Sequence, residues 1–131
     1  MKASAWGPVV ALLLLPVVCA QAAGDPKKGE EIYSRCIACH ALAYDRTGPH
    51  HCGLIGRKAG SVPGFAYSPA MKRSGIVWTE STLDRFLANP MKMVPGTAMG
   101  YAGIADRQER ADLIAYLERA AASPDLCPAG R

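Results

Sequence analysis

The sequence has no convincing stretch of alternating apolar and polar residues, so nothing in it argues for a sheet-built domain. It has no basic tract and no patch of basic residues interleaved with aromatics. With 7% aromatic residues and a formal net charge of +4, it offers nothing to a nucleic acid. There is no internal repeat, low-complexity segment or long linker, and 131 residues suit one small domain. The one extended apolar run, residues 9–18, is too short to span a bilayer comfortably. It follows Lys2 and precedes the small-residue pattern Ala20-Gln21-Ala22. This predicts a secretory signal peptide over residues 1–22, removed to leave a single domain over 23–131 with a short tail at 122–131. Rival readings are an uncleaved anchor and a lipoprotein signal at Cys19, which Val18 disfavours because a small residue is expected there. The expected location is the periplasm.

What the sequence does contain is Cys36-Ile37-Ala38-Cys39-His40. Two thiols three positions apart can bond to the two vinyl groups on one edge of a haem, and the histidine that follows is then held as an axial ligand. A thioredoxin-like redox pair and half of a zinc site are the competing readings. The first would sit in a βαβ pattern, which is not evident. The second needs another Cys/His pair, and only His50-His51-Cys52 comes near.

Along the remaining chain, Asp25 and Pro26 suit a helix start, with Ile32, Tyr33 and Cys36 as its apolar positions. Gly29 inside that helix suggests close packing against another backbone. Residues 41–67 carry breakers and little periodicity, and read as a loop wrapped around something. Ser68-Pro69 opens a short helix that Gly75 ends. Thr79 caps another, bearing Leu83, Phe86 and Leu87 and stopped by Asn89-Pro90. A second irregular loop is expected over 91–105. Asp106 and Glu109 start the last helix, with Leu113, Ile114, Leu117 and Ala121 as its apolar stripe. The fold class is all-α, with three to four short helices and long loops. A mature chain of about 109 residues built this way buries a thin core, which a large flat apolar ring would thicken.

A second iron ligand would come from Met71, Met91, Met93, Met99, His50 or His51. Met99 stands apart, in the inter-helix loop Pro95-Gly96-Thr97-Ala98-Met99-Gly100. His50 and His51 follow His40 so closely that they are expected on its side, as surface or packing groups.

From about Asp25 to Ala121 the chain resembles the small soluble cytochromes c of the mitochondrial and bacterial respiratory branch. The matching stretches are Cys36 to His40, Thr47-Gly48-Pro49, residues 53–58, 63–67 and 75–78, Pro95-Gly96-Thr97 with Met99, residues 101–104, and 109–117. The resemblance implies the cytochrome c fold and one haem c bound covalently through Cys36 and Cys39. It also implies His40 and Met99 as axial ligands, and a Pro49 carbonyl that accepts from His40. Arg57, Tyr67 and Trp78 fall where the family contacts haem propionates. Departures are Phe86 for a usual tyrosine, Met71 for asparagine and His51 for leucine. The basic ring around the haem edge is also thinned, with Arg35 and Lys92 kept but Met91 and Ala98 in place of lysines.

The function implied is that of a monomeric one-electron carrier rather than an enzyme. It would take electrons from a quinol-oxidising complex and pass them to a terminal oxidase or peroxidase through transient contacts. Alternatives are a haem enzyme or gas- or peroxide-binding cytochrome with a displaceable methionine, and a fixed haem subunit of a larger complex. Once Cys19 leaves with the leader and the haem takes two thiols, Cys52 and Cys127 remain in an oxidising compartment. The family's last helix ends near the loop after the haem histidine, so a disulfide between them is expected. Unrelated thiols and pairing between molecules are the rivals.

Overall fold

Asp25 opens the first helix as expected, its carboxylate accepting from the Lys27 amide at 2.9 Å. In the computed structural model, which describes residues 1–2 and 23–128, α1 then runs Pro26–Tyr33. The leader expected over residues 1–22 lies almost wholly outside the described residues. Ser68 caps α2 (Pro69–Arg73), and Thr79 exchanges hydrogen bonds with Thr82 in a capping box that starts α3 (Glu80–Ala88). Asp106 caps α5 (Arg107–Ala121) by accepting from the Glu109 amide at 2.7 Å. Among the described residues there is no strand beyond one isolated bridge, Lys58 with Val77, and no helix long and apolar enough to cross a membrane. The all-α reading therefore holds.

Two details differ from expectation. The loop expected over 91–105 begins with a one-turn helix, α4 (Pro90–Met93). Asn89 and Pro90, read as a stop signal, do both jobs: Asn89 ends α3 and its side chain accepts from the Lys92 amide at 3.0 Å. The stripe of α5 closes on Ala120, 1% exposed, rather than on Ala121.

The organising contact is the crossing of α1 over α5. Gly29 sits directly on the α5 backbone, where a Cβ would overlap the Asp112 carbonyl. Beside it, buried Asp112 accepts from the Asp25 amide at 2.7 Å and from Gln108 at 2.9 Å. Those bonds hold its carboxyl below the usual carboxylate range, with the Asp25 amide as the main cause. Ile32 and Tyr33 pack with Leu113, Ile114, Tyr116 and Leu117 in one core. Arg110 joins α5 to α3 through Asp84 at 2.7 Å and clamps the Ile104 and Ala105 carbonyls at 2.9 Å each.

The loop over 41–67 contributes Leu54, Ala59 and Val62 to the interior, which gives so irregular a segment a reason to be ordered. The chain past α5 turns back on that loop. Cys127 comes to lie beside Cys52 with Cα atoms 5.5 Å apart, a separation compatible with a disulfide.

Gly29→Ala tests the crossing. Alanine would gain about 1 kcal/mol of helix propensity. Overpacking against a backbone carbonyl that has no rotamer to escape into costs about 1–3 kcal/mol, so the steric term should win. A lowered urea midpoint is the expected result; an unchanged or raised one would mean that α1 and α5 are not in backbone contact.

Candidate functional site

The helical course of α1 continues as turns beyond Tyr33. The Cys36 amide donates to the Tyr33 carbonyl at 2.8 Å, and the His40 amide to the Cys36 carbonyl at 2.9 Å. Positions i, i+3 and i+4 of such a turn share a face, so Cys36, Cys39 and His40 are brought together. Both thiols are free, Cys36 half-buried and Cys39 exposed. Burial pushes the Cys36 thiol up, with a lesser contribution from Cys39 and an opposing one from Arg35. Among the described residues no three His, Cys, Asp or Glu side chains converge on a metal-binding point. The zinc reading therefore has no second half.

His40 is buried and its Nδ1 lies 2.8 Å from the Pro49 carbonyl oxygen. An N–H at Nδ1 donates there, which makes Nε2 the lone-pair nitrogen. Burial lowers its pKa, with the Pro49 bond partly offsetting it, and a neutral imidazole is the ligating form. Gly48 donates to the Cys39 carbonyl at 2.7 Å, and a Cβ on it would strike the imidazole ring. The glycine of Thr47-Gly48-Pro49 is thus explained by the imidazole it cradles.

Arg57 lies further along the same loop. The Trp78 amide donates to the Arg57 carbonyl at 2.9 Å, and the Gly56 amide to the Trp78 carbonyl at 2.7 Å. This local antiparallel pairing brings Arg57 and Trp78, both named from sequence, into register. The Arg57 guanidinium donates to the Cys52 and His50 carbonyls at 3.0 and 2.8 Å, while its buried Nε has no partner. An unpartnered buried cationic donor is costly, and a ligand carboxylate such as a haem propionate is the group that fits it. Trp78 is buried and its ring centroid lies 5.0 Å from that of Phe86. Tyr67 is half-buried and edge-on to Phe65 at 4.7 Å.

Met99 is partly buried against the core, midway along the second loop. The Thr97 amide donates to the Val94 carbonyl at 3.0 Å across a turn whose Gly96 has φ 88°. The Met99 amide donates to the Thr97 hydroxyl at 3.2 Å. Of the other sulfur candidates, Met71 is buried in the core, Met93 packs against it and Met91 is 51% exposed. The residues present fit a haem: two free thiols, an imidazole with one nitrogen committed, and a buried guanidinium short of an acceptor.

Two features were not legible in the sequence. His51, expected only as a packing or surface group, stacks on His40 with centroids 4.3 Å apart and planes 25° from parallel. Burial foremost, and then the charge of His40, push its pKa down to about 3. Arg35, placed by the resemblance in the basic ring around the haem edge, is held by Glu109 through two bonds of 2.8 and 2.9 Å. A basic residue 74 positions away from its carboxylate carries no sequence signal of pairing.

A family profile described as cytochrome c matches residues 26–121. Cytochrome c2 of Rhodomicrobium vannielii is 50% identical over 101 residues, covering 75% of this chain and 81% of that one. Cytochrome c of Sesamum indicum is 46% identical over 103 residues, covering 76% and 93%. The solved structure of cytochrome cH from Methylobacterium extorquens superposes with a TM-score of 0.72 at 42% identity, covering 73% of this chain and 99% of that one.

Removing the Arg57 cation should raise the pKa of any ligand carboxylate it faces. In Arg57→Leu of the haem-loaded protein, the pH at which the reduction potential starts to vary should therefore move upwards. A potential–pH curve superposable on that of the parent would separate Arg57 from the ligand.

Proposed function

The chain belongs to the cytochrome c family and carries one haem c bound through its cysteines, and from that premise we propose a one-electron carrier in which His40 and Met99 hold the iron axially. Bound haem supplies a one-electron iron couple. The observation that carries the reading is the His40–Pro49 hydrogen bond of 2.8 Å, which commits Nδ1 and leaves Nε2 for the metal.

The chain's own residues then have definite tasks. Cys36 and Cys39 would hold the haem through thioether bonds, each formed by addition of the S–H across one vinyl group. Arg57 supplies a buried donor to a propionate, with Tyr67 and Trp78 closing around it, so that the carboxylate stays ionised. Met99 would supply the second iron ligand from a loop that has no His, Asp or Glu between Pro95 and Gly103. That loop offers no carboxylate or imidazole for peroxide chemistry, which favours a carrier over an enzyme. With His40 and Met99 both engaged, little in the protein would rearrange when an electron moves.

Partners are a quinol-oxidising donor and a terminal oxidase or peroxidase, engaged transiently. Glu109 already engages Arg35, so attraction at the haem edge rests on fewer free cations than the sequence suggests. Export to the periplasm is supported by the leader pattern over residues 1–22 and by the approach of Cys52 to Cys127, which suits an oxidising compartment.

The ferric holoprotein should display the weak near-infrared band of iron–sulfur ligation, and its reduced form should bind carbon monoxide poorly at neutral pH. Met99→Ala should abolish the band and admit carbon monoxide. Retention of the band in that variant would reassign the ligand, and ready carbon monoxide binding by the parent would favour an open-site protein.

Cys52 and Cys127 are proposed to be oxidised to a disulfide in the exported protein. Alkylation of the denatured, unreduced holoprotein should label neither residue. Closing a loop of this length contributes roughly 4 kcal/mol by the chain-entropy estimate, so Cys52→Ser with Cys127→Ser should melt lower. Labelling of both thiols would refute the bridge.

A further inference from the structure

The imidazole of His40 has a neighbour that its ligand role does not require. His51 lies face to face with it at 4.3 Å and 25°, and His51 is itself held on three sides. Its amide donates to the Ala41 and Leu42 carbonyls at 3.2 and 3.0 Å. Its Nδ1 is 3.1 Å from the Tyr33 hydroxyl, and the Tyr33 ring meets it edge-on at 5.7 Å. Tyr33 is buried in α1 and packs at 5.3 Å on Tyr116 of α5. A continuous set of ring contacts thus runs from the α1–α5 crossing to the axial histidine.

We propose that Tyr33 and His51 form a positioning pair that fixes the plane of the His40 imidazole. The inference rests on His40 being an iron ligand. The Pro49 carbonyl anchors one atom of the ring, but acceptance at a carbonyl oxygen is angularly broad, so the ring retains some freedom to rock. A stacked planar partner narrows that freedom. The Tyr33 hydroxyl ties the Nδ1 edge of that partner to a rigid helix and so helps to keep it flat against His40. With the phenol as donor, His51 carries its proton on Nε2. A leucine at position 51 would fill the space but present neither a planar face nor an acceptor for Tyr33. The orientation of an axial imidazole governs how electron spin spreads over a ferric haem, and its hydrogen-bonded surroundings tune the metal.

The test uses haem-loaded His51→Leu, Tyr33→Phe and His51→Phe, read by the hyperfine-shifted haem-methyl resonances of the ferric state and by the redox midpoint. His51→Leu should change the spread of the methyl resonances and displace the midpoint, with the iron–sulfur band retained. Tyr33→Phe, a milder change should the first variant fold poorly, should move the resonances in the same sense by less. His51→Phe restores a planar face and should return them towards the parental pattern. Unchanged resonances and midpoint in both His51→Leu and Tyr33→Phe would overturn the proposal, as would a His51→Phe spectrum as perturbed as that of His51→Leu. If isotope-labelled His40 in the parent lacks hyperfine-shifted nitrogen signals, the ligation reading itself fails.

Discussion

The rest of the molecule depends on one backbone approach, that of α1 to α5 at Gly29. Because no side chain intervenes there, Asp112 can reach the Asp25 amide, and Ile32 and Tyr33 can enter the same core as Leu113 and Leu117. Fixing α1 fixes the turn that extends it, and that turn carries Cys36, Cys39 and His40. The attachment sequence is therefore not a free loop that finds a cofactor. It is the end of a helix whose angle is set on its opposite side by a crossing with the last helix in the chain. Close packing makes such a crossing intolerant of added volume.

The loops have a complementary task. Residues 41–67 surround His40: the Gly48 backbone against the ring, the Pro49 carbonyl as its acceptor and the His51 ring on its face. They also present Arg57 through the short pairing with residues 76–78. A segment so poor in regular structure stays ordered because Leu54, Ala59 and Val62 are buried and its carbonyls accept from Arg57. The unpartnered Nε of Arg57 is the one place where this economy fails among the described residues. A carboxylate acceptor would complete it.

Helix starts were readable because capping is local. Asp25, Ser68, Thr79 and Asp106 each sit two or three residues from the amide they satisfy. The α4 turn escaped because Asn89-Pro90 is read equally well as an end or as a beginning, and only the chain's course after Pro90 decides. Pro49 and Arg57 could be placed from resemblance, and the geometry gives each a physical reason. The roles of His51 and Arg35 could not be, since both depend on partners that lie elsewhere in the chain or lack a fixed spacing.

By itself the sequence determined the chemistry of attachment. Two thiols and an imidazole within five consecutive residues have their mutual geometry set by one helical turn, whatever surrounds them. Composition and cap signals likewise sufficed for an all-α chain with long irregular connections. Only the tertiary structure decided that His51 lies flat on His40 under the hold of Tyr33, that Glu109 takes up the charge of Arg35, and that Arg57 keeps a donor in reserve. Each of these is a meeting of side chains across a loop or between α1 and α5. No periodicity encodes such a meeting; it exists only once the helices have crossed and the loop has closed.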